Sequence, residues 1–229
     1  MKKKIIVFAP HPDDETFGCG GTIAKKISEG HNVLIVIITD GRYAFQNVLG
    51  INSNPTPEQL KEIRKEEVKK AVNHLGVPEK NLIFLNFIDG TLTDNKEKVK
   101  EKILKILIEH APDEVYFPHK TDAHPDHCAT YEIIKSSIKK LGIRPMGYQY
   151  QIVPKHAYLS PVIEAISNFL TGNRVSVDIS KFLHVKKLAV EEFRSQVSII
   201  SPEQSRPVMK NIKKFLKKKE KFFIEKWMS

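Results

Sequence analysis

Ile5-Ile-Val-Phe-Ala9 and Val33-Leu-Ile-Val-Ile-Ile-Thr39 are two β-branched runs, the first ending at Pro10 and the second at Asp40-Gly41. Neither alternates apolar with polar residues, so each reads as a strand buried on both faces. Between them, residues 18–30 carry Ile23, Ala24 and Ile27 at helical spacing and close on Glu29-Gly30. Residues 4–39 therefore form a strand-helix-strand unit, the signature of a parallel sheet.

The alternation continues along the chain. Helices are expected over about 57–75, 96–110, 126–141 and 181–193, and strands over 82–85, 114–117, 147–152 and 174–178. Ile212, Phe215, Leu216, Phe222, Phe223 and Trp227 recur at helix-like spacing opposite lysines, predicting a terminal Lys-rich amphipathic helix over about 202–227. That stripe would pack on its own domain or on a neighbouring subunit of a homo-oligomer; lying on an anionic membrane surface is the lesser alternative. With no repeat, low-complexity tract or linker, the expected fold is one α/β domain over 1–229, a mostly parallel sheet with helices on both faces.

Length and charge narrow the function. A chain of 229 residues that is 41% hydrophobic is neither a disordered segment nor a disulfide miniprotein. No apolar run approaches the ~20 residues of a membrane span, and the start does not read as a signal peptide. Cys19 and Cys128 form no CxxC pair, so a reducing compartment, the cytoplasm, is expected. The net charge of +10 suggests nucleic acid, but Lys2, Lys3 and Lys4 supply three charges. Residues 210–229, with eight lysines against Glu220 and Glu225, supply six more. The body is nearly neutral, which argues against a phosphate-tracking groove and a nucleic-acid partner.

In an open parallel sheet the ligand crevice lies beyond the carboxyl ends of the strands, here residues 9–16, 39–46, 86–94 and 118–127. The first of these holds Pro10-His11-Pro12-Asp13-Asp14-Glu15, and the last holds Pro118-His119-Lys120-Thr121-Asp122-Ala123-His124-Pro125-Asp126-His127. Either cluster alone could be helix caps and solvated imidazoles. At the same end of one sheet, a His and an Asp three apart plus a distant His make a mixed N/O ligand set that suits zinc and leaves a coordination position open.

His11-Pro-Asp-Asp-Glu15 and His124-Pro-Asp-His127, whose first histidines are 113 residues apart, resemble the two motifs of the PIG-L/LmbE-like zinc N-deacetylases. The resemblance extends through Gly20-Gly21, Thr39-Asp40-Gly41, Arg64-Lys-Glu-Glu67, Leu75-Gly76, Asp89, Leu92, Val177-Asp-Ile-Ser180 and Ser195-Gln196, covering about residues 4–197. It implies a Rossmann-like sheet, a Zn²⁺ cofactor and removal of the N-acetyl group from an N-acetylglucosamine-containing small molecule or conjugate. Carried over, His11, Asp14 and His127 bind zinc, and Asp13 is the general base. Protonated His124 stabilises the oxyanion, Asp126 orients an imidazole, and either Asp13 or His124 protonates the amine.

The resemblance also implies that Arg64 grips substrate; the competing expectation is a surface residue paired with Glu67. Arg42 could grip as well, or be solvated. Asp122 is a partner behind a metal ligand or a turn residue, and Glu15 orients a ligand or caps a helix. Cys19 and Cys128 are expected to pack, and the remaining histidines to be structural. Phe193 stands where relatives often carry His, and residues 40–56 match nothing beyond Asp40-Gly41. Two rival readings are a nucleotide-binding Rossmann module, which lacks its third glycine at Ile23, and a silent carbohydrate-binding subunit, against which intact Asp13 and His124 speak.

Overall fold

The computed structural model describes residues 1–153 and 174–227. Its strands are β1 (Lys4–Ala9), β2 (Asn32–Thr39), β3 (Leu82–Phe87), β4 (Glu114–Pro118), β5 (Met146–Tyr150), β6 (Arg174–Asp178) and β7 (Lys219–Glu225). They form one sheet in the order β3-β2-β1-β4-β5-β7-β6. The first five are parallel, while β7 runs antiparallel to both β5 and β6. The sheet is thus mostly parallel, as expected of a doubly wound α/β fold.

The helices are α1 (Asp14–Ser28), α2 (Ala44–Leu49), α3 (Pro57–His74), α4 (Lys96–His110), α5 (Pro125–Leu141), α6 (Leu183–Glu192) and the short α7 (Arg194–Val197). Alternation in β1 and β2 sorts them onto two faces. Ile5, Val7, Val33, Ile35 and Ile37 pack with Ile23 of α1, Val68 of α3 and Val190 of α6. Ile6, Phe8, Leu34, Val36 and Ile38 pack with Ile103 of α4 and Ile133 of α5 on the other side. Both faces of these strands are therefore core, which is why their sequences are continuously apolar.

After β1 the chain winds toward β2 and β3, then returns to place β4 on the other side of β1. The winding reverses between β1 and β4, and a crevice forms at the carboxyl ends of strands that diverge in this way. Both histidine loops leave the sheet there.

The terminal helix over 202–227 is not formed. Residues 219–225 are strand β7, preceded by a single 3₁₀ turn at Ile212–Lys214. Burial follows a period of two: Glu220 and Phe222 are buried, Lys219 and Lys221 exposed. The aromatic residues still pack inward, Phe222 against Tyr116 at 5.3 Å between ring centroids and Phe215 against Phe17 at 5.0 Å. Pairing with two neighbouring strands supplies the backbone hydrogen bonds that a helix would have made internally. No described helix is long and apolar enough to cross a membrane.

Gly18, Gly20 and Gly21, the glycines on which a nucleotide-binding reading would rest, lie inside α1, where Gly18 and Gly21 serve packing. A Cβ on Gly18 would sit 2.6 Å from Tyr150, and one on Gly21 2.3 Å from Ile179. Between them α1 is kinked at Cys19, whose Sγ–H donates to the Glu15 carbonyl.

Candidate metal centre

The His11–Glu15 loop is clamped at both ends. Asp13 takes a φ of 134°, unusual for a residue with a Cβ, and its carbonyl accepts the first amides of α1, from Thr16 and Phe17. Glu15 holds this turn by accepting from the Asp13 amide at 3.1 Å, and burial raises its carboxyl to about 7. Beside it the His11 amide donates to Asp14 Oδ2 at 2.9 Å, which aims the Asp14 carboxylate across the crevice.

Three donor atoms converge there. His11 Nδ1 lies 3.1 Å from Asp14 Oδ2 and 3.2 Å from His127 Nε2, and His127 Nε2 lies 3.1 Å from Asp14 Oδ2. Tetrahedral ligands at bond lengths of roughly 2.1 Å stand roughly 3.4 Å apart, so a small cation fits this slightly tighter triangle of two nitrogens and one oxygen. All three residues are buried.

The far side of each ring meets carboxylates. His11 Nε2 is 3.2 Å from both Asp126 Oδ2 and Asp89 Oδ1, and His127 Nδ1 is 3.2 Å from Asp122 Oδ1. These acids are fixed in turn: Asp126 accepts from the Gly90 and Leu92 amides, and Asp122 from those of His124, Ile152 and Val153. Carboxylates behind ligating imidazoles fix ring orientation and raise ligand basicity. Asp126 thus stands against His11, and Asp122 against His127.

The electrostatics call for a cation. Burial disfavours a charged ring, yet Asp89, Asp126 and Asp14 hold His11 well above its ordinary value, and Asp14 and Asp122 hold His127 at about 9. For Asp14 burial is outweighed by the same two rings, and it stays well below the usual carboxylate range. A cluster that attracts protons this strongly offers the same charge to a metal ion. His124 with His11 and His127, and Asp89 and Asp126 with His11, form two further donor groups within 4.8 Å.

His124 is constrained differently. It is the N-cap of α5, and its Nδ1 accepts from the Asp126 amide at 3.2 Å. An accepting Nδ1 leaves the ring proton on Nε2. Burial, together with repulsion from His11 and His127, lowers it to about 4. Where a protonated His124 was expected, the cap bond favours the neutral ring: protonation would cost that bond, and the neutral ring still presents one N–H.

Asp13 lies beside the triangle and outside it. Burial raises its carboxyl to about 8, against the pull of Arg64 and with the push of Asp14 and Glu15. Arg64, on α3, is 2% exposed. Its Nη2 donates to Asp13 Oδ2 at 2.9 Å and to the Pro12 carbonyl at 2.5 Å, and its Nη1 to the Gly41 carbonyl at 2.8 Å. Gly41, at φ 66°, leaves room for that guanidinium, since a Cβ would fall 2.3 Å from Nη1. The surface pairing with Glu67 is absent; Glu67 accepts instead from the Ser195 amide and hydroxyl. Arg64 is thus buried rather than a surface partner of Glu67, and its two Nη groups are turned to the loop and to Asp13. Arg42, partly exposed at the rim, pairs with Asp40 at 2.7 Å and with Glu58.

Asp89 is the site residue to which no role was attached from the sequence. Its signal was position, two residues after β3 within the crevice segments. Phe193 is fully buried in the core, and Cys128 donates to the Asp122 carbonyl, both in packing roles. His156 lies outside the described residues.

Residues 6–138 match the profile of the PIG-L family, described as GlcNAc-PI de-N-acetylase. The chain belongs to the PIG-L family of N-deacetylases. Among PIG-L relatives, it is 28% identical over 240 residues to the probable N-acetyl-alpha-D-glucosaminyl L-malate deacetylase 2 of Bacillus cereus, covering 99% of this chain and 100% of that one. It is 30% identical over 199 residues to the diacetylchitobiose deacetylase of Thermococcus kodakarensis, covering 85% and 70%. The N,N'-diacetylchitobiose deacetylase structure from Pyrococcus horikoshii shares the PIG-L fold with a TM-score of 0.72 at 24% identity, covering 97% of this chain and 84% of that one. Both histidine motifs stand at the crevice of this PIG-L chain, and both lie wholly within the matched residues.

Proposed function

We propose that this chain is a zinc-dependent hydrolase that removes the N-acetyl group from an N-acetylglucosamine-containing substrate, free, oligomeric or conjugated. The observation that carries the reading is the triangle of His11 Nδ1, Asp14 Oδ2 and His127 Nε2, with edges of 3.1 to 3.2 Å and Asp13 beside it. Three protein ligands of mixed N/O type, with a fourth position left for water or substrate, form the catalytic rather than the structural zinc pattern. The names of the relatives support the substrate class, since both sequence relatives are named for N-acetylated amino-sugar compounds.

Bound zinc would polarise the acetyl carbonyl and make a water acidic enough to lose its proton near neutral pH. The remaining work falls to side chains. Asp13 accepts the proton of the attacking water as oxygen bonds to the carbonyl carbon. Arg64 holds Asp13 in place and favours its ionised form, as a dication held by the adjacent triad also would. His124 donates its Nε2–H to the developing oxyanion. When the C–N bond breaks, Asp13 returns its proton to the departing nitrogen, giving the amine and acetic acid, which loses its remaining proton to solvent as acetate. Asp126 with Asp89, and Asp122, fix the rings of His11 and His127. Arg42, paired with Asp40 and Glu58, is the second side chain proposed to meet sugar hydroxyls, and the cytoplasm is the compartment proposed.

The test is acetate release from zinc-loaded protein across a panel of N-acetylglucosamine, its oligosaccharides and its glycosides. Release from at least one of them, abolished by a chelator and restored by zinc, is the expected result. No release from any, with zinc bound, would refute the reading.

A further inference from the structure

The two edges of the sheet are guarded differently. At β3, Lys102 of α4 donates to the Leu85 carbonyl at 3.1 Å, and Lys65 of α3 and Lys102 lie over the Phe84 and Phe87 rings at 5.9 and 5.0 Å. Lysines on an edge strand oppose its pairing with another chain. At the opposite edge stands β6, Arg174-Val-Ser-Val-Asp178, which pairs with β7 on one side. Among the described residues no strand lies beyond it.

The direction of the backbone groups on this edge follows from one hydrogen bond. The Ile179 amide donates to the Lys218 carbonyl at 2.9 Å, so Ile179 is turned toward the β7 side. Backbone direction alternates along an antiparallel strand, which turns Val177 and Val175 to β7 as well and leaves Arg174, Ser176 and Asp178 with N–H and C=O directed outward. The Asp178 carbonyl meets Lys25 Nζ at 3.4 Å, and a carbonyl with two lone pairs still accepts a second donor.

The order of side chains makes the edge complementary to itself. When a second copy is laid antiparallel about a two-fold axis at Ser176, Arg174 of each copy stands opposite Asp178 of the other. Arg174, Ser176 and Asp178 are exposed and share one face of the sheet. On the other face Val175 and Val177, half-buried against the core, meet Val177 and Val175 of the second copy. Arg174 stacks on Phe223 at 4.2 Å, and a guanidinium with five N–H donors can stack and meet a carboxylate at once. Charges of one sign at both ends would have opposed this pairing; opposite signs favour it and fix its register. We infer that two copies of this chain associate through β6 in this register, joining two seven-stranded sheets into one. The inference does not depend on the deacetylase reading.

The experiment is sedimentation of the full chain over a range of concentrations, with melting temperature followed for each variant. Wild type should form a dimer that dissociates on dilution, because a five-residue strand contact is small. Arg174→Asp and Asp178→Arg each set like charges opposite one another and should raise the dissociation constant about tenfold or more. Mixed in equal amounts, the two variants restore opposite charges at both ends, and the dimer should return. Ser176→Pro removes an outward amide that β7 does not use and should leave a folded monomer. Asp178 also accepts from the Ser180 amide at 2.8 Å, so if Asp178→Arg melts early, Arg174→Asp and Ser176→Pro decide the question. A wild type that is monomeric at every concentration would overturn the inference. So would an assembly unchanged in the folded variants, or folded charge variants that stay monomeric when mixed.

Discussion

Arg64 Nη2 donates to Asp13 Oδ2 at 2.9 Å from a guanidinium that is 2% exposed. The contact joins α3 to the loop between β1 and α1 and sets the environment of the carboxylate assigned as base.

Removing this arginine should affect both stability and rate. Arg64→Ala leaves Asp13 and the Pro12 and Gly41 carbonyls without their donor, so a loss of about 3–5 kcal/mol is expected in denaturant unfolding. Arg64 also pulls the Asp13 carboxyl downward, so the acidic limb of the kcat/KM profile should move to higher pH in this variant. Destabilisation with an unmoved limb would make the arginine purely structural.

His124 should stay neutral throughout the working range. With Nδ1 accepting the Asp126 amide and the ring lowered to about 4, its nitrogen NMR signals should show the Nε2–H tautomer from pH 6 to 8. Activity should not fall as pH rises through about 6.5, the ordinary histidine value. His124→Ala should lower kcat by roughly 10². A doubly protonated ring at neutral pH would contradict the donor assignment.

Metal-free protein should lose stability as the solution becomes alkaline. His127 is raised from 6.5 to about 9 in the fold. Its contribution is therefore complete below about 6.5 and lost as pH rises toward about 9. His11 shifts in the same direction. Thermal melting across this window should show Tm falling for chelated protein. The decline should be much weaker with zinc, because the imidazoles then bind metal in neutral form. Parallel curves would place the titration elsewhere.

How much of this was legible depended on whether a residue's partners lie near it in sequence. Ile5 to Ala9 and Val33 to Thr39 announce two buried faces in their own composition, and the crevice rule then located His11, Asp14, His124 and His127 before any coordinate. The terminal segment misled because Phe215, Phe222 and Trp227 satisfy helical spacing, while Glu220 and Phe222 also satisfy alternation. Choosing between them needed β5 and β6 as pairing partners. The burial of Arg64 was not legible because its partners, Pro12, Asp13 and Gly41, are 23 to 52 residues away. Asp89 lacked a role because its meeting with His11 exists only once β3 and β1 share a sheet.

The most direct test is zinc content measured together with acetate release for Asp13→Asn. Asp13 stands beside the metal triangle and not in it, so the variant should retain about one zinc per chain while kcat falls by roughly 10² to 10⁴. Asp14→Asn, which weakens one of three ligands, should lose zinc first and recover part of its activity in excess metal. Loss of zinc from Asp13→Asn, or full activity in it, would contradict the assignment of Asp14 as ligand and Asp13 as base.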